Sequence, residues 1–252
     1  LVIGPDITSR RNPRVKEWQA LRKRSARKRT HHFLVEGERE TLRAAEHVTI
    51  VETIVRVDRA PIDLPHVVTV TDEVFAAVSA RQRPDGIAAV CVVPDHGIDG
   101  FEPAVPMLVL VVDGVEKPGN IGAMIRSADA FGAAVLASSP GTDLVNPNVV
   151  RSAQGSLFAV PMALATREEA IAWCAEHTEV IVGVPGAPVS IWDTDLSGNV
   201  SIVVGSEHDG VHPDWYDVGA GATIPMRGRA DSLNASVSAA VMLAECARQR
   251  SG

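Results

Sequence analysis

Residues 107–138 read MLVLVVDGVEKPGNIGAMIRSADAFGAAVLAS, and this stretch decides the fold. Its first and last segments are unbroken apolar runs of Val, Leu and Ala, the pattern of strands buried on both faces. Between them, IGAMIRSADAFG spaces its apolar residues as an amphipathic helix does. Strand, helix and strand in that order predict a parallel pair joined by a crossover. Downstream the alternation continues with a helix in REEAIAWCAEH, strands in VIVGVP and VSIVVGSE, a short strand in ATIPM ending at Met226, and a closing helix in SLNASVSAAVMLAECARQR. Residues 107–252 are therefore expected to form a mostly parallel α/β sheet covered by helices.

Upstream, PDHGIDGFEPAVP concentrates Pro, Gly and Asp without periodicity, so residues 96–106 are expected to be an interdomain linker. Residues 1–95 read as a smaller α/β domain. FLVEGERETLRAAEH is a strand entering a helix, VTIVETIVRV and HVVTVT are strands, and TDEVFAAVSA is a helix with Thr71 or Asp72 near its cap. A turn and a last strand follow in RPDGIAAVCVVP.

Charge separates the same two parts. The chain of 252 residues has a net charge of -7, yet residues 1–45 hold 12 Lys and Arg against 5 Asp and Glu, leaving 12 against 26 in the remainder. Arg10 through Arg29, and RKRSARKR within it, carry a density of positive charge suited to phosphate. Arg10, Arg11, Arg22, Lys23, Arg27, Lys28 and Arg29 are the candidate RNA contacts of this arm; a solvated helix face or a disordered arm is the plainer reading. Cys91, Cys174 and Cys246 are widely spaced and lack C-x-x-C spacing, which fits buried thiols and not a disulfide framework or zinc site. No apolar run is long enough for a membrane span and the basic N-terminus leads into no apolar core, so a cytoplasmic protein without membrane or metal partners is expected.

Ligands of open α/β sheets bind beyond the carboxyl ends of the strands. Three loops there are unusual. In DGVEKPGNIGAMIRSADAFGA, Asp113 ends a strand, Gly119 and Gly122 allow a tight turn, Asn120 sits at the mouth of the next helix, and Arg126 follows one to two turns later, its guanidinium able to reach back toward an anion at the helix start. In VVGSEHDGV, Gly205, Ser206 and Glu207 follow a buried strand and Gly210 closes the turn; Glu207 is open to a helix-capping reading as well. In IPMRGRADSLNASV, Ser232, Leu233, Asn234, Ala235 and Ser236 open the closing helix, where capping by Ser and Asn is the plain alternative. The dinucleotide fingerprint, the phosphate loop, the nucleophile elbow and H-E-x-x-H are all absent.

Together these segments resemble the signature motifs of the SpoU (TrmH-like) branch of the SPOUT methyltransferases. They supply N-x-G-x-x-x-R at Asn120–Arg126, G-S-E-x-x-G at Gly205–Gly210, and I-P-M followed by S-L-N-A-S-V at Ile224–Val237. NPNVVRSAQGSLFAVP (146–161) is similar to the family's middle motif, and EGERETLRAA resembles the start of the substrate-binding domain that often precedes the catalytic one. The resemblance implies a SPOUT domain with a deep trefoil knot, an exception to unknotted connections, preceded by an L30e-like module that recognises RNA shape.

It further implies methyl transfer from S-adenosylmethionine to a ribose 2′-hydroxyl of ribosomal or transfer RNA, rRNA being favoured, by a homodimer joined through its C-terminal domains. The cofactor would be held by Gly205, Ser206, Ile224, Met226, Leu233, Ala235 and Ser236. Arg126 would serve as general base, with Asn120, Glu207, Ser232 and Asn234 orienting it and the substrate, and Arg151 would contact RNA. Because arginine is normally protonated, stabilising a developing alkoxide, or using the RNA phosphate as proton acceptor, is the physically easier role. A non-catalytic RNA-binding or ribosome-assembly protein on the same fold is the alternative; it has no evident need for the five polar site residues together.

Overall fold

The computed structural model describes residues 4–251, which divide into two compact units. The first runs to Pro94 and takes in Val145–Ala159; the second comprises Asp95–Leu144 and the chain from Val160 onward.

The first unit opens with helices α1 (Pro13–Ala20) and α2 (Arg24–Thr30). Asn12 caps α1 by accepting from the Arg14 N–H at 2.9 Å, and Pro13 takes the first helical position, where its missing N–H is harmless. There follow β1 (His32–Glu36), α3 (Glu38–His47), β2 (Ile50–Arg56), β3 (Val67–Val70), α4 (Asp72–Val78) and β4 (Ile87–Val92). Thr71 caps α4. The sheet runs β1-β4-β2-β3, with β4 antiparallel to both neighbours and β3 parallel to β2.

The basic arm is built into this unit. Val15, Trp18 and Leu21 are buried in its core beside Ile54, Phe75 and Val90, and each such burial stabilises by roughly 1.5–3 kcal/mol. The indole N–H of Trp18 donates to Glu52 at 2.6 Å. One predicted phosphate contact is corrected. Arg27 is buried, 3% exposed, and its guanidinium donates to the carbonyls of Leu21 at 2.8 Å and Arg22 at 2.9 Å, satisfying groups that the end of α1 leaves without helical partners. Arg22 is turned to structure in a similar way, donating to the carbonyls of Val78 and Ser79 at 2.7 and 2.6 Å.

The second unit begins with residues expected to form a linker. They are docked instead: Phe101 is buried, its ring 4.9 Å from that of Trp173, and the carbonyl of His96 accepts from the Leu164 N–H at 2.7 Å. Burial of a large aromatic ring outweighs the irregular composition of the segment. Next come β5 (Leu108–Asp113), α5 (Pro118–Phe131) and β6 (Ala134–Ser138). The chain then returns to the first unit as α6 (Pro147–Ala153) and α7 (Ser156–Ala159), which pack on β1 and α3. There Phe158 lies 6.2 Å from Phe33, and Arg43 donates to the carbonyl of Gln154 at 3.1 Å. The sequence pattern places this segment with residues 107–252; its packing is a non-local choice that periodicity does not carry.

The chain completes the second unit as β7 (Met162–Ala165), α8 (Arg167–His177), β8 (Glu179–Gly183), β9 (Val189–Ser190), β10 (Val200–Val204), β11 (Gly219–Thr223) and α9 (Ala235–Arg250). Every neighbouring pair in the order β7-β6-β5-β10-β8-β11-β9 is parallel. β10 lies between β5 and β8, Val200 beside Leu108 on one side and Glu179 on the other. Helices α5 and α9 pack on each other. β11 ends at Thr223 and not at Met226 as expected, because Pro225 has no N–H to extend a ladder. Among the described residues no helix is long and apolar enough to cross a membrane.

Replacing Arg27 by Ala takes the partner from the buried carbonyl of Leu21 and the part-buried carbonyl of Arg22 and is expected to destabilise the protein by about 1–3 kcal/mol, whereas Lys28→Ala, at an exposed position, leaves stability unchanged. Urea unfolding followed by circular dichroism checks this; equal midpoints for the two variants would show that Arg27 does not hold α1.

Candidate active site

The cleft sits where parallel sheets place ligands, beyond the carboxyl ends of β5, β10, β8 and β11. Its volume is about 460 Å³, within the usual range for cofactor sites. Three walls come from the loops after β8, β10 and β11, and a fourth from the start of α9.

The loop after β10 is closed on itself. Ser206 and Gly210 exchange backbone hydrogen bonds of 3.0 and 3.1 Å, and the Ser206 hydroxyl accepts from the Asp209 N–H at 3.0 Å. Gly205 is required by this closure: a Cβ there would lie 2.1 Å from the carbonyl of Gly210. Gly210 in turn adopts φ 71°, a left-handed conformation that glycine accepts without strain. The space that a side chain at Gly205 would need is thus taken by the backbone of its own loop.

The loop after β11, residues 224–234, is irregular. None of the described backbone hydrogen bonds involves residues 226–233, so the peptide groups of this wall are available to a ligand. Ile224, Met226, Ser232 and Leu233 line the cleft, joined from below by Met242 of α9.

The polar groups converge. The Asn120 side-chain amide donates to Glu207, and the Asn234 amide donates to the Asn120 side-chain oxygen at 3.4 Å. Asn234 also caps α9, its oxygen accepting from the Ser236 N–H at 2.9 Å and the Ser236 hydroxyl at 2.7 Å. The capping and functional readings of Asn234 are therefore both satisfied by one side chain, with opposite ends of the amide engaged. Lys117, at the N-cap position of α5, places its ammonium 3.9 Å from Glu207.

Of the residues singled out from sequence, Gly205, Ser206, Glu207, Ile224, Met226, Ser232, Leu233, Asn234 and Ala235 all line the cleft. Asn120 touches it through Glu207, and lies within the first turn of α5, not ahead of it. Ser236 is drawn into the α9 cap and does not line the cleft.

Arg126 lies farther along α5, exposed, neither lining the cleft nor bonded to any described residue. Six residues along a helix amount to roughly 240° of turn, so Arg126 and Asn120 leave α5 in different directions and the expected reach back to the helix start is not made. Arg151 is exposed on α6 in the first unit, its guanidinium donating to Asn148 at 2.9 Å. Lys117, Val184, Pro185 and Thr223 line the cleft without having been singled out. Only Lys117 carried a signal in the sequence, a lone cation at a strand-to-helix turn.

The chain is similar to known proteins over most of its length. The SpoU rRNA Methylase family profile matches residues 107–244, and that of the MRM3-like substrate binding domain matches residues 12–89. A 23S rRNA (guanosine(2553)-2'-O)-methyltransferase of Bacillus subtilis is 32% identical over 94% of this chain and 97% of its own length. Among solved structures, an RNA 2'-O ribose methyltransferase superimposes with a TM-score of 0.86 at 37% identity, covering 97% of this chain and 98% of its own. The SpoU methyltransferase AviRb from Streptomyces viridochromogenes, in complex with the cofactor AdoMet, gives 0.87 at 28% identity, covering 95% of this chain and 98% of its own. With a family match over more than half its length and a relative aligned almost end to end, the chain belongs to the SpoU rRNA methylase family.

Proposed function

We propose that the protein transfers a methyl group from S-adenosylmethionine to a ribose 2′-hydroxyl of 23S ribosomal RNA, acting as a homodimer joined through its second unit. The observation that carries this is the chain Asn234–Asn120–Glu207 at a cleft in whose far wall residues 226–233 enter none of the described backbone hydrogen bonds. Relatives of matching length methylate the ribose of 23S rRNA, and a solved relative holds AdoMet.

The residues present fit that cofactor. Backbone groups of Gly205, Ile224, Met226 and Leu233 would hold its polar edges, while the side chains of Met226, Leu233 and Met242 offer apolar surface. When bound, S-adenosylmethionine supplies an electrophilic methyl group on a sulfonium sulfur. The strand order, with β10 set between β5 and β8 and α9 returned against α5, supports a knotted path for the chain around the cleft.

The chain's own residues then serve to position the hydroxyl and manage its charge. Asn120, Glu207, Ser232 and Asn234 form a polar edge that fixes the ribose. A guanidinium is a poor base, so Arg126 would stabilise the developing alkoxide while the hydroxyl proton passes to an RNA phosphate oxygen. The exposure of Arg126, outside the lining of the cleft of its own protomer, supports delivery to the site of a partner subunit, and exposed Val237 near the start of α9 is apolar surface open to such a contact. Arg10, Arg11, Lys23, Lys28, Arg29 and Arg151, all exposed, would contact RNA phosphates; Arg27 is withdrawn from that set, and so is Arg22, which is held by the carbonyls of Val78 and Ser79.

Incubation with methyl-labelled S-adenosylmethionine and unmodified 23S rRNA is expected to label a ribose, mapped as one alkali-resistant linkage. Cofactor binding without labelling of any RNA would replace this reading with a non-catalytic RNA-binding role. Arg126→Ala is expected to lower turnover by about 10²-fold or more while leaving cofactor binding intact; wild-type turnover would remove its assigned role. For the arm, Lys28→Ala with Arg29→Ala should reduce the slope of log RNA affinity against log salt by roughly 1 for each phosphate no longer neutralised. An unchanged slope in a filter-binding titration would take these residues out of the interface.

A further inference from the structure

Asp113 is the last residue of β5 and is 1% exposed. A buried carboxylate is costly unless its lone pairs are met, and here three donors from three elements meet them. The Ser138 hydroxyl at the end of β6 donates at 2.8 Å, the Arg167 Nε at the start of α8 donates at 3.0 Å, and the backbone N–H of His212 donates at 3.1 Å to the second oxygen. Ser138 and Arg167 belong to the sheet and its covering helix. His212 does not: it ends the closed loop after β10, and its neighbour Val211 lines the cleft.

Residues 206–212 contain their own hairpin-like closure, yet among the described backbone hydrogen bonds of this stretch the His212 N–H is the one that ties it to a separate strand. The closure sets the loop's shape; the tie sets its orientation against the sheet. We infer that Asp113 is a positioning residue for cofactor binding, a buried carboxylate that aims the Gly205–Val211 loop at the cleft through the main chain of His212. This rests on the cofactor reading of the cleft given above. Arg167 neutralises the carboxylate, so the tie is a charge-assisted bond shielded from solvent and stronger than an ordinary loop contact.

Two substitutions isolate the tie from general stability. In Asp113→Asn the amide oxygen can still accept from Ser138 and Arg167, which turns its NH2 toward the His212 N–H, donor against donor. His212→Pro removes the N–H directly, and the backbone there, φ -63° and ψ 141°, already suits proline. His212→Ala keeps the N–H and loses only the ring. Binding of S-adenosylhomocysteine is measured by calorimetry, with amide exchange followed in peptides spanning 206–212.

Asp113→Asn and His212→Pro are expected to bind about tenfold or more weakly, with faster exchange in the loop and a raised KM for S-adenosylmethionine but not for RNA. His212→Ala, which keeps the N–H and loses the ring's contacts to Asp214, should bind more tightly than either. If His212→Pro binds as His212→Ala does, or if loop exchange is unaltered in both tie-breaking variants, the inference is overturned even should Asp113→Asn fail to fold. Wild-type protein that does not bind the probe would overturn the cofactor reading itself, and the positioning role with it.

Discussion

Parallel pairing of β5 with β10 is the constraint from which the site follows. These strands are 92 residues apart, counted from Leu108 to its partner Val200, and both are buried along their whole length. Parallel strands present their carboxyl ends on one edge, so the turn after β5 and the loop after β10 are brought together by sheet formation alone. Asn120 and Glu207, distant in the chain, become hydrogen-bond partners because their parent strands are neighbours. Apolar burial in the middle of the sheet thus supplies the positional accuracy that the polar edge uses.

The site is assembled from groups with more than one obligation. Gly205 and Gly210 serve loop closure, Ser206 commits its hydroxyl to Asp209, and Asn234 divides its amide between helix and cluster. Motifs with such double duty read ambiguously in a sequence, since capping and chemistry select the same residue types. Several loops with that ambiguity in one domain, at the ends of neighbouring strands, are what favour a site over ordinary turns.

Most of the second unit is legible in the sequence because its strands are continuous Val, Leu and Ile runs, for which burial and period agree. β11 is harder. Its sequence Gly-Ala-Gly-Ala-Thr has little side-chain area, so its place between β8 and β9 is fixed by backbone pairing and close approach, as where a Cβ on Gly219 would meet Val180 at 2.6 Å. The excursion of α6 and α7 into the first unit is equally hidden, because Phe158 reads as an ordinary apolar residue until Phe33 is placed opposite it. In the basic arm, charge density is visible and charge assignment is not: Arg27 and Arg29 are two positions apart, and only a three-dimensional view shows one inside and one outside. Arg126 is found by motif spacing, while its orientation needs the helix.

The double engagement of Asn234 makes helix nucleation and site assembly a single event. The first turn of a helix is the most readily frayed, since its N–H groups depend on the cap. Loss of that turn in α9 would withdraw the amide from Asn120 and let Glu207 lose its alignment, although every strand stayed in place. Conversely, any ligand that braces the 224–234 loop also shortens the freedom of the segment leading into α9. On the proposed reading of the cleft, local order at the start of α9 would therefore link ligand occupancy to the alignment of Asn120 and Glu207, without movement of the sheet beneath.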